Sequence, residues 1–356
     1  MSNKLFKIVD GIKPMSEEWK AKAHDYLGQL AIPYWSLGKL LDIAEQISAI
    51  QETLKPDVTK KYVVVMAGDH GVVEEGVSAF PQEVTPQMIG NFVRNGASIN
   101  VLSHTVGAEV IVADAGIVAD TRDLVEKGKI LSFKVGPGTK NMAKGSAMTR
   151  EEAIKSIQGG IDIVENLIME QGAQLIATGD MGIGNTTPSS AIISVMTGKK
   201  VADVTGRGTG VDDKGLLHKI EVIERSIDIN NPDKNDPIDV LAKVGGFEIG
   251  GIAGVIIGAA YHNVPVIVDG FISSAGAVIA KALNPNSAGY MIASHRSVEP
   301  GHSIMWEYLG LEPVLDLKFR LGEGTGAAMV MHVVESATQV MNKVLTFEAA
   351  GVSENV

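Results

Sequence analysis

Five short apolar runs, spaced along the chain and each closing on glycine and a polar side chain, limit what this sequence can become. They are Tyr62-Val-Val-Val-Met66, Val110-Ile-Val-Ala113, Gln174-Leu-Ile-Ala177, Val266-Ile-Val268 and Tyr290-Met-Ile-Ala293, with a weaker sixth from Val314 to Phe319. Most are apolar on both faces rather than alternating, which marks strands covered on both sides, as parallel strands are. The intervals between them are long enough for crossover helices. The expected fold class is therefore α/β, a parallel sheet flanked by helices in a Rossmann-like arrangement. Residues 16–29 and 36–53 have helical periodicity with a break at Ile32-Pro33, and Gly326 to Phe347 reads as one long helix. These ends lack site-like residues. They are expected to meet as a small helical domain, residues 1–30 with 330–356, leaving 31–329 as the large α/β domain that would carry the chemistry.

In open parallel sheets, ligands bind outside the carboxyl ends of the strands. The runs lead there into Asp69-His70, Asp114, Thr178-Gly-Asp180, Asp269, Ser294-His295-Arg296-Ser297, and Arg320 with Glu323. Each alone is ordinary turn chemistry. Six segments aiming polar groups at one crevice are harder to explain that way. In Leu321-Gly-Glu323-Gly-Thr-Gly326 one acid stands among glycines at the mouth of a helix. Glycines admit a ligand close to the backbone, and the helix N-terminus suits phosphate and keeps a carboxylate ionised. Glu323 is thus a candidate general base; on this segment alone, a helix cap with an incidental acid explains it equally well.

Three glycine loops stand out: Gly182-Ile-Gly184-Asn185-Thr186-Thr187, Gly206-Arg-Gly208-Thr-Gly210 and Gly322-Glu-Gly324-Thr-Gly326. Backbone N–H groups with Asn and Thr side chains can hold a monophosphate. Neither the dinucleotide fingerprint in its strand-turn-helix setting nor the P-loop occurs, so a mononucleotide fits better than NAD or ATP. Lys219 is a candidate countercharge, although a solvated helix lysine is the stronger reading of it in isolation. Ser273-Ser274 is weak as a nucleophile, and no Gly-x-Ser-x-Gly elbow is present.

A formal net charge of -11 argues against nucleic acid or an anionic membrane as partner. The longest apolar stretch, around Gly250 to Ala260, is too short to span a bilayer, and the N-terminus lacks the apolar core of a signal peptide. A cytoplasmic protein is expected. With no cysteine, disulfides, thiolate nucleophiles and Cys-ligated metals are excluded. His295 and His302 lie seven apart and His70 adjoins Asp69, but no metal-ligand spacing motif occurs. Neither metal nor cofactor is expected.

Taken together, Ala67-Gly-Asp-His-Gly-Val72, Gly76-Val-Ser-Ala-Phe-Pro81, Val84-Thr-Pro-Gln-Met88, Gly182 to Thr187, Gly206 to Asp213, Gly245 to Gly250, Ser294 to His302 and Leu321 to Gly326 resemble one family closely. It is the nicotinate-nucleotide–dimethylbenzimidazole phosphoribosyltransferases of cobalamin nucleotide-loop assembly, and the resemblance runs from about residue 15 to about residue 345. It implies transfer of 5-phosphoribose from nicotinate mononucleotide to 5,6-dimethylbenzimidazole, with inversion at C1'. It also implies a homodimer with small-molecule substrates as partners. By the same resemblance Glu323 is the base, Asp180 a second catalytic acid, and Ser78, Phe80 and Gln87 surround the benzimidazole. Gly182, Asn185, Thr186, Gly208, Gly210, Lys219 and Ser297 would hold the phosphate and ribose. The chain departs from the family at Asp180, where Glu is usual; Asp is one methylene shorter. Two other classes remain: an oxidoreductase using a dinucleotide at the same sheet edge, and a nucleotide-binding regulator without activity.

Overall fold

The structure is a computed structural model that describes residues 2–353. Its strands are β1 (Lys61–Gly68), β2 (Ala108–Gly116), β3 (Leu131–Ser132), β4 (Leu175–Met181), β5 (Val266–Val268) and β6 (Met291–Ala293). The first helices are α1 (Ser2–Gly11), α2 (Glu17–Leu27), α3 (Lys39–Gln51), α4 (Val84–Val93), α5 (Ser98–Thr105) and α6 (Arg122–Glu126). The middle of the chain gives α7 (Arg150–Met169), α8 (Thr186–Thr197), α9 (Val201–Val204), α10 (Asp213–Asn230), α11 (Pro237–Val244) and α12 (Phe247–Tyr261). The last are α13 (Phe271–Leu283), α14 (Pro300–Leu309), α15 (Thr325–Lys343) and α16 (Phe347–Ala350).

The sheet has the order β3-β2-β1-β4-β5-β6, and every pairing is parallel. This is the doubly wound order, in which the chain reverses its direction of travel between β1 and β4 and leaves a crevice there. All eight residues of β1 are buried. Alternate side chains point to opposite faces: Val64 and Met66 join one core with α7, α12 and α13, while Val63, Val65 and Ala67 join another with α3, α5 and α15. The expected parallel α/β sheet is the fold observed.

The glycine-rich stretch around Gly250 is a helix buried from Phe247 to Ala260. It lies against α7 so closely that a Cβ at Gly254 would collide with the carbonyl of Ile157, and one at Gly160 with that of Gly251. Glycine removes the Cβ that would hold the two backbones apart. Dispersion and apolar burial then act over a wide contact, at about 25 cal/mol per Å² removed from water.

Two expected elements differ. Val314 to Phe319 is no sheet strand; Leu315 makes a single bridge to His295 beyond the end of β6. Pro313 precedes it, Asp316 and Lys318 are charged, and Lys318 takes a positive φ of 58° that breaks an extended run. The sixth strand is instead β3 at the opposite edge, two exposed residues too short to leave an apolar pattern. The last helix stops at Lys343, and Phe347 begins α16. Leu30 bridges Thr346, and the N–H of Ala31 bonds the carbonyl of Leu345, so the segment after α2 meets the segment before α16. α1, absent from the periodicity reading, buries Leu5, Ile8 and Val9 in the core of α7 and α12.

Candidate active site

A cavity of about 420 Å³ opens at the carboxyl ends of the central strands. Glu323, Asp180, Gly182, Asn185, Thr186, Gly208, Ser297 and Phe80 line it, so segments distant in sequence converge. Four other candidates do not line it. The Ser78 hydroxyl pairs with Thr209 Oγ1 at 3.3 Å at the rim. Gln87 lies on the exposed side of α4, which turns Val84, Met88 and Asn91 inward instead. Gly210 is an exposed turn glycine with φ 111°. Lys219 sits one layer behind, beneath the glycine loop.

Glu323 stands in the turn before α15 with φ 63°, a conformation uncommon for a residue with a Cβ. Its side chain is 5% exposed, and its Oε2 has no hydrogen-bond partner among the described residues. Burial raises its carboxyl above the ordinary range; the N–H of Ile99, in the first turn of α5, works the other way, and Asp269 adds to the rise. The sequence suggested that α15 would keep this acid ionised. That is corrected: the Asp269 carboxylate already takes the N–H groups of Gly324 at 3.0 Å and Ala327 at 2.9 Å. Asp269, at the end of β5, thereby fixes the start of α15 and the turn that aims Glu323.

Asp180 lies near the end of β4. Its Oδ2 accepts from Asn185 Nδ2 at 2.9 Å and its Oδ1 has no partner among the described residues. Burial, with Asp269 next in weight, holds its carboxyl well above the ordinary range; Asn185 opposes the rise. Beneath the Gly182 turn, His70 Nε2 meets Glu248 Oε1 at 2.7 Å. Burial works against the imidazolium there, but Glu248 and Asp69 together outweigh it and the His70 pKa is raised.

A buried base lies behind the Gly206–Gly210 loop. Lys219 is 1% exposed, and its Nζ donates to Thr186 Oγ1 at 2.6 Å and to the Gly206 carbonyl at 3.4 Å. It is not the solvated lysine its sequence context favours. Burial lowers its pKa to about 8, against the pull of Glu299. The Ser297 N–H donates to His302 Nδ1 at 2.9 Å, and His302 Nε2 lies 3.0 Å from Ser274 Oγ. Burial lowers the His302 pKa to about 3, so the ring is neutral and donates from Nε2 to Ser274. Ser274 thus supports a histidine rather than acting as a nucleophile.

His295 and Arg320, which the sequence placed at the crevice without a role, also line it, while Met88, Asn91, Ser98 and Glu299 were not named as site residues. His295 and Arg320 follow strand-like runs, a usable signal. α4 and α5 follow no strand directly, so nothing local marked Asn91 or Ser98. Among the described residues no group of three or more His, Asp or Glu side chains is placed to hold a metal ion.

A doubly wound sheet whose switch point gathers buried carboxyls at one end and a buried lysine under a glycine loop at the other defines an α/β enzyme with a small-molecule cleft. Residues 12–352 match the family model described as Phosphoribosyltransferase, and the chain belongs to that family. Similar curated proteins carry the name nicotinate-nucleotide–dimethylbenzimidazole phosphoribosyltransferase. The one from Syntrophotalea carbinolica is 50% identical over 352 residues, covering 99% of each chain. That from Desulforamulus reducens is 53% identical over 351 residues, covering 98% of this chain and 99% of its own. The crystal structure of CobT from Thermus thermophilus superposes with a TM-score of 0.90 at 41% identity, covering 95% of this chain and 100% of that one. No described helix is long and apolar enough to cross a membrane.

Proposed function

We propose that the chain transfers 5-phosphoribose from nicotinate mononucleotide to 5,6-dimethylbenzimidazole, giving α-ribazole 5'-phosphate and nicotinate. The names of its relatives supply the substrates. The observation that carries the chemistry is Glu323 Oε2, buried and unpartnered among the described residues, in the same cavity as Gly182, Thr186, Gly208 and Ser297. One nitrogen of the neutral benzimidazole attacks C1' of the ribose. As that bond forms the other ring N–H becomes acidic, and ionised Glu323 takes its proton. The C1'–nicotinate bond breaks with its electron pair going to the pyridine nitrogen, so the leaving group departs neutral at that atom. Attack from the face opposite nicotinate inverts C1' from β to α.

The remaining residues orient the reactants. Gly208, Ser297, Thr186 and Lys219 anchor the 5'-phosphate, remote binding energy that places C1'. Gly210, at the far end of that loop, supplies the turn. Gly182 and Asn185 face the ribose, and Asp180, where it is ionised, offsets positive charge building on the sugar. Phe80, half exposed at the rim, closes over the benzimidazole, with Ser78 and Gln87 at the entrance. The working form is a cytoplasmic homodimer, and light scattering on the purified protein checks its size. The central test is incubation with nicotinate mononucleotide and dimethylbenzimidazole, followed by mass detection. Phosphoribosylated product with equimolar nicotinate is expected. Nucleotide binding without nicotinate release would instead identify a regulator.

A further inference from the structure

The two segments that border the anion end of the cavity are tied by a group that belongs to neither substrate. Glu299 is 7% exposed and precedes Pro300 at the start of α14. Its Oε1 accepts the N–H of Gly208 at 3.0 Å. Its Oε2 has no partner among the described residues and turns toward Gly206, where a Cβ would displace it. The Glu299 carbonyl in turn accepts the N–H of His302 at 3.0 Å, and His302 holds the N–H of Ser297.

Lys219 projects into this junction. Among the described residues it makes no ion pair within 4.0 Å, and its hydrogen bonds go to the neutral Thr186 hydroxyl of α8 and the Gly206 carbonyl. Charged groups on the adjoining elements turn elsewhere. Arg207 on the loop pairs with Asp213, His218 on α10 meets the carbonyl of Glu75, Asp212 caps α10 through the N–H of Gly215, and Lys214 and Asp203 are exposed. Among the described residues, Glu299 is the charge that opposes the desolvation of this ammonium.

We infer that Glu299 is a positioning residue for the phosphate monoester. Its carboxylate latches the Gly206–Gly210 loop to the segment after β6, and supplies the negative charge that Lys219 otherwise lacks. This rests on the proposed placement of the nucleotide phosphate at Gly208 and Lys219. Removing the charge makes the ammonium harder to hold in its buried site, because desolvation then acts unopposed. Removing the side chain also frees the loop.

Two variants separate the parts. Glu299→Gln keeps an acceptor for the Gly208 N–H and deletes the charge; Glu299→Ala deletes both. The Lys219 side-chain midpoint is read by NMR of lysine-labelled protein, its signal assigned by absence in Lys219→Met. Steady-state KM values for nicotinate mononucleotide and for dimethylbenzimidazole are measured from about pH 6.5 to 9.5, above the phosphate's second ionisation near 6. In wild type the nucleotide KM is expected to climb as pH passes about 8, where Lys219 loses its proton. In Glu299→Gln both the NMR midpoint and the start of that climb move to lower pH. In Glu299→Ala the nucleotide KM also rises about tenfold at pH 7, the effect of one lost charged hydrogen bond, while the dimethylbenzimidazole KM stays within about twofold. An unmoved Lys219 midpoint in Glu299→Gln, or equal changes in both KM values, overturns the inference. The titration needs no turnover. A wild type that makes no product would therefore sink the functional reading alone, and the midpoint would still judge Glu299.

Discussion

At the scale of single residues, the site is built from groups that are costly to bury. Glu323 must lose its proton to act as a base, yet burial favours the protonated form. The kcat/KM for dimethylbenzimidazole should therefore rise with pH through a value above the ordinary carboxylate range. Glu323→Gln should abolish that acid limb and lower kcat by at least about tenfold, with the usual general-base contribution of about 10²–10⁴ as guide. Unchanged turnover in this variant would take Glu323 out of the role. Lys219 shows the same tension with opposite charge. Its folded value of about 8 lies below the ordinary 10.5, so the native state disfavours the ammonium by about 3 kcal/mol below pH 8. Between about 8 and 10.5 the unfolded chain binds more protons, and native stability rises with pH as that term fades. Lys219→Met should unfold at a higher temperature than wild type at pH 7, by a margin that shrinks across this window in calorimetry. The same variant should lose affinity for nicotinate mononucleotide more than for the benzimidazole. Lower stability at pH 7 would show that the hydrogen bond to Thr186 outweighs desolvation.

At the scale of elements, the decisive contact is β5 to α15. A helix N-terminus leaves N–H groups unsatisfied, and here Asp269 from the neighbouring strand takes two of them. That contact aims Glu323 without any residue of α15 serving as its own side-chain cap. Asp269→Ala leaves two buried donors unpaired and should cost about 2–5 kcal/mol in urea unfolding. It should also lower kcat, because the turn bearing Glu323 loses its anchor. A variant as stable as wild type would mean that water replaces the carboxylate. The α7–α12 contact makes a different point about elements. The long apolar helix α12 is legible as apolar, but its closeness to α7 depends on glycines at facing positions of both helices, which no local pattern reveals.

At the scale of the molecule, the buried acids share one low-dielectric centre. Burial raises Asp180, Asp269 and Glu323 alike; Asp269 adds to the rise at both of the others, and Glu323 adds to that of Asp180. A carboxyl with a raised folded pKa stabilises the native state most below its unfolded value, and that contribution is lost as pH rises through the folded value. Asp180→Asn removes one such group. Its melting temperature should equal or fall below wild type near pH 4 and exceed it progressively as pH rises to about 8. A constant difference across that range would mean Asp180 does not titrate with folding.

The parallel α/β class, four of the six strands to within a few residues, β6 less one residue, and the place in the cavity of eight of the twelve named site residues were legible in the sequence. Apolar runs covered on both faces have one stable solution, and in that solution strand ends share an edge. Asp180 and the loop from Gly182 were readable for that reason; Glu323 and the other two loops were readable from their glycines alone. Only the tertiary structure decided the rest. It turned Gln87 to solvent, buried Lys219, gave Ser274 to a histidine, put Asp269 on the helix whose field was expected for Glu323, and set Glu299 across two loops. Local pattern reports how each segment buries its own surface; which charges face one another depends on distances between segments far apart in the chain, and those distances exist only after packing.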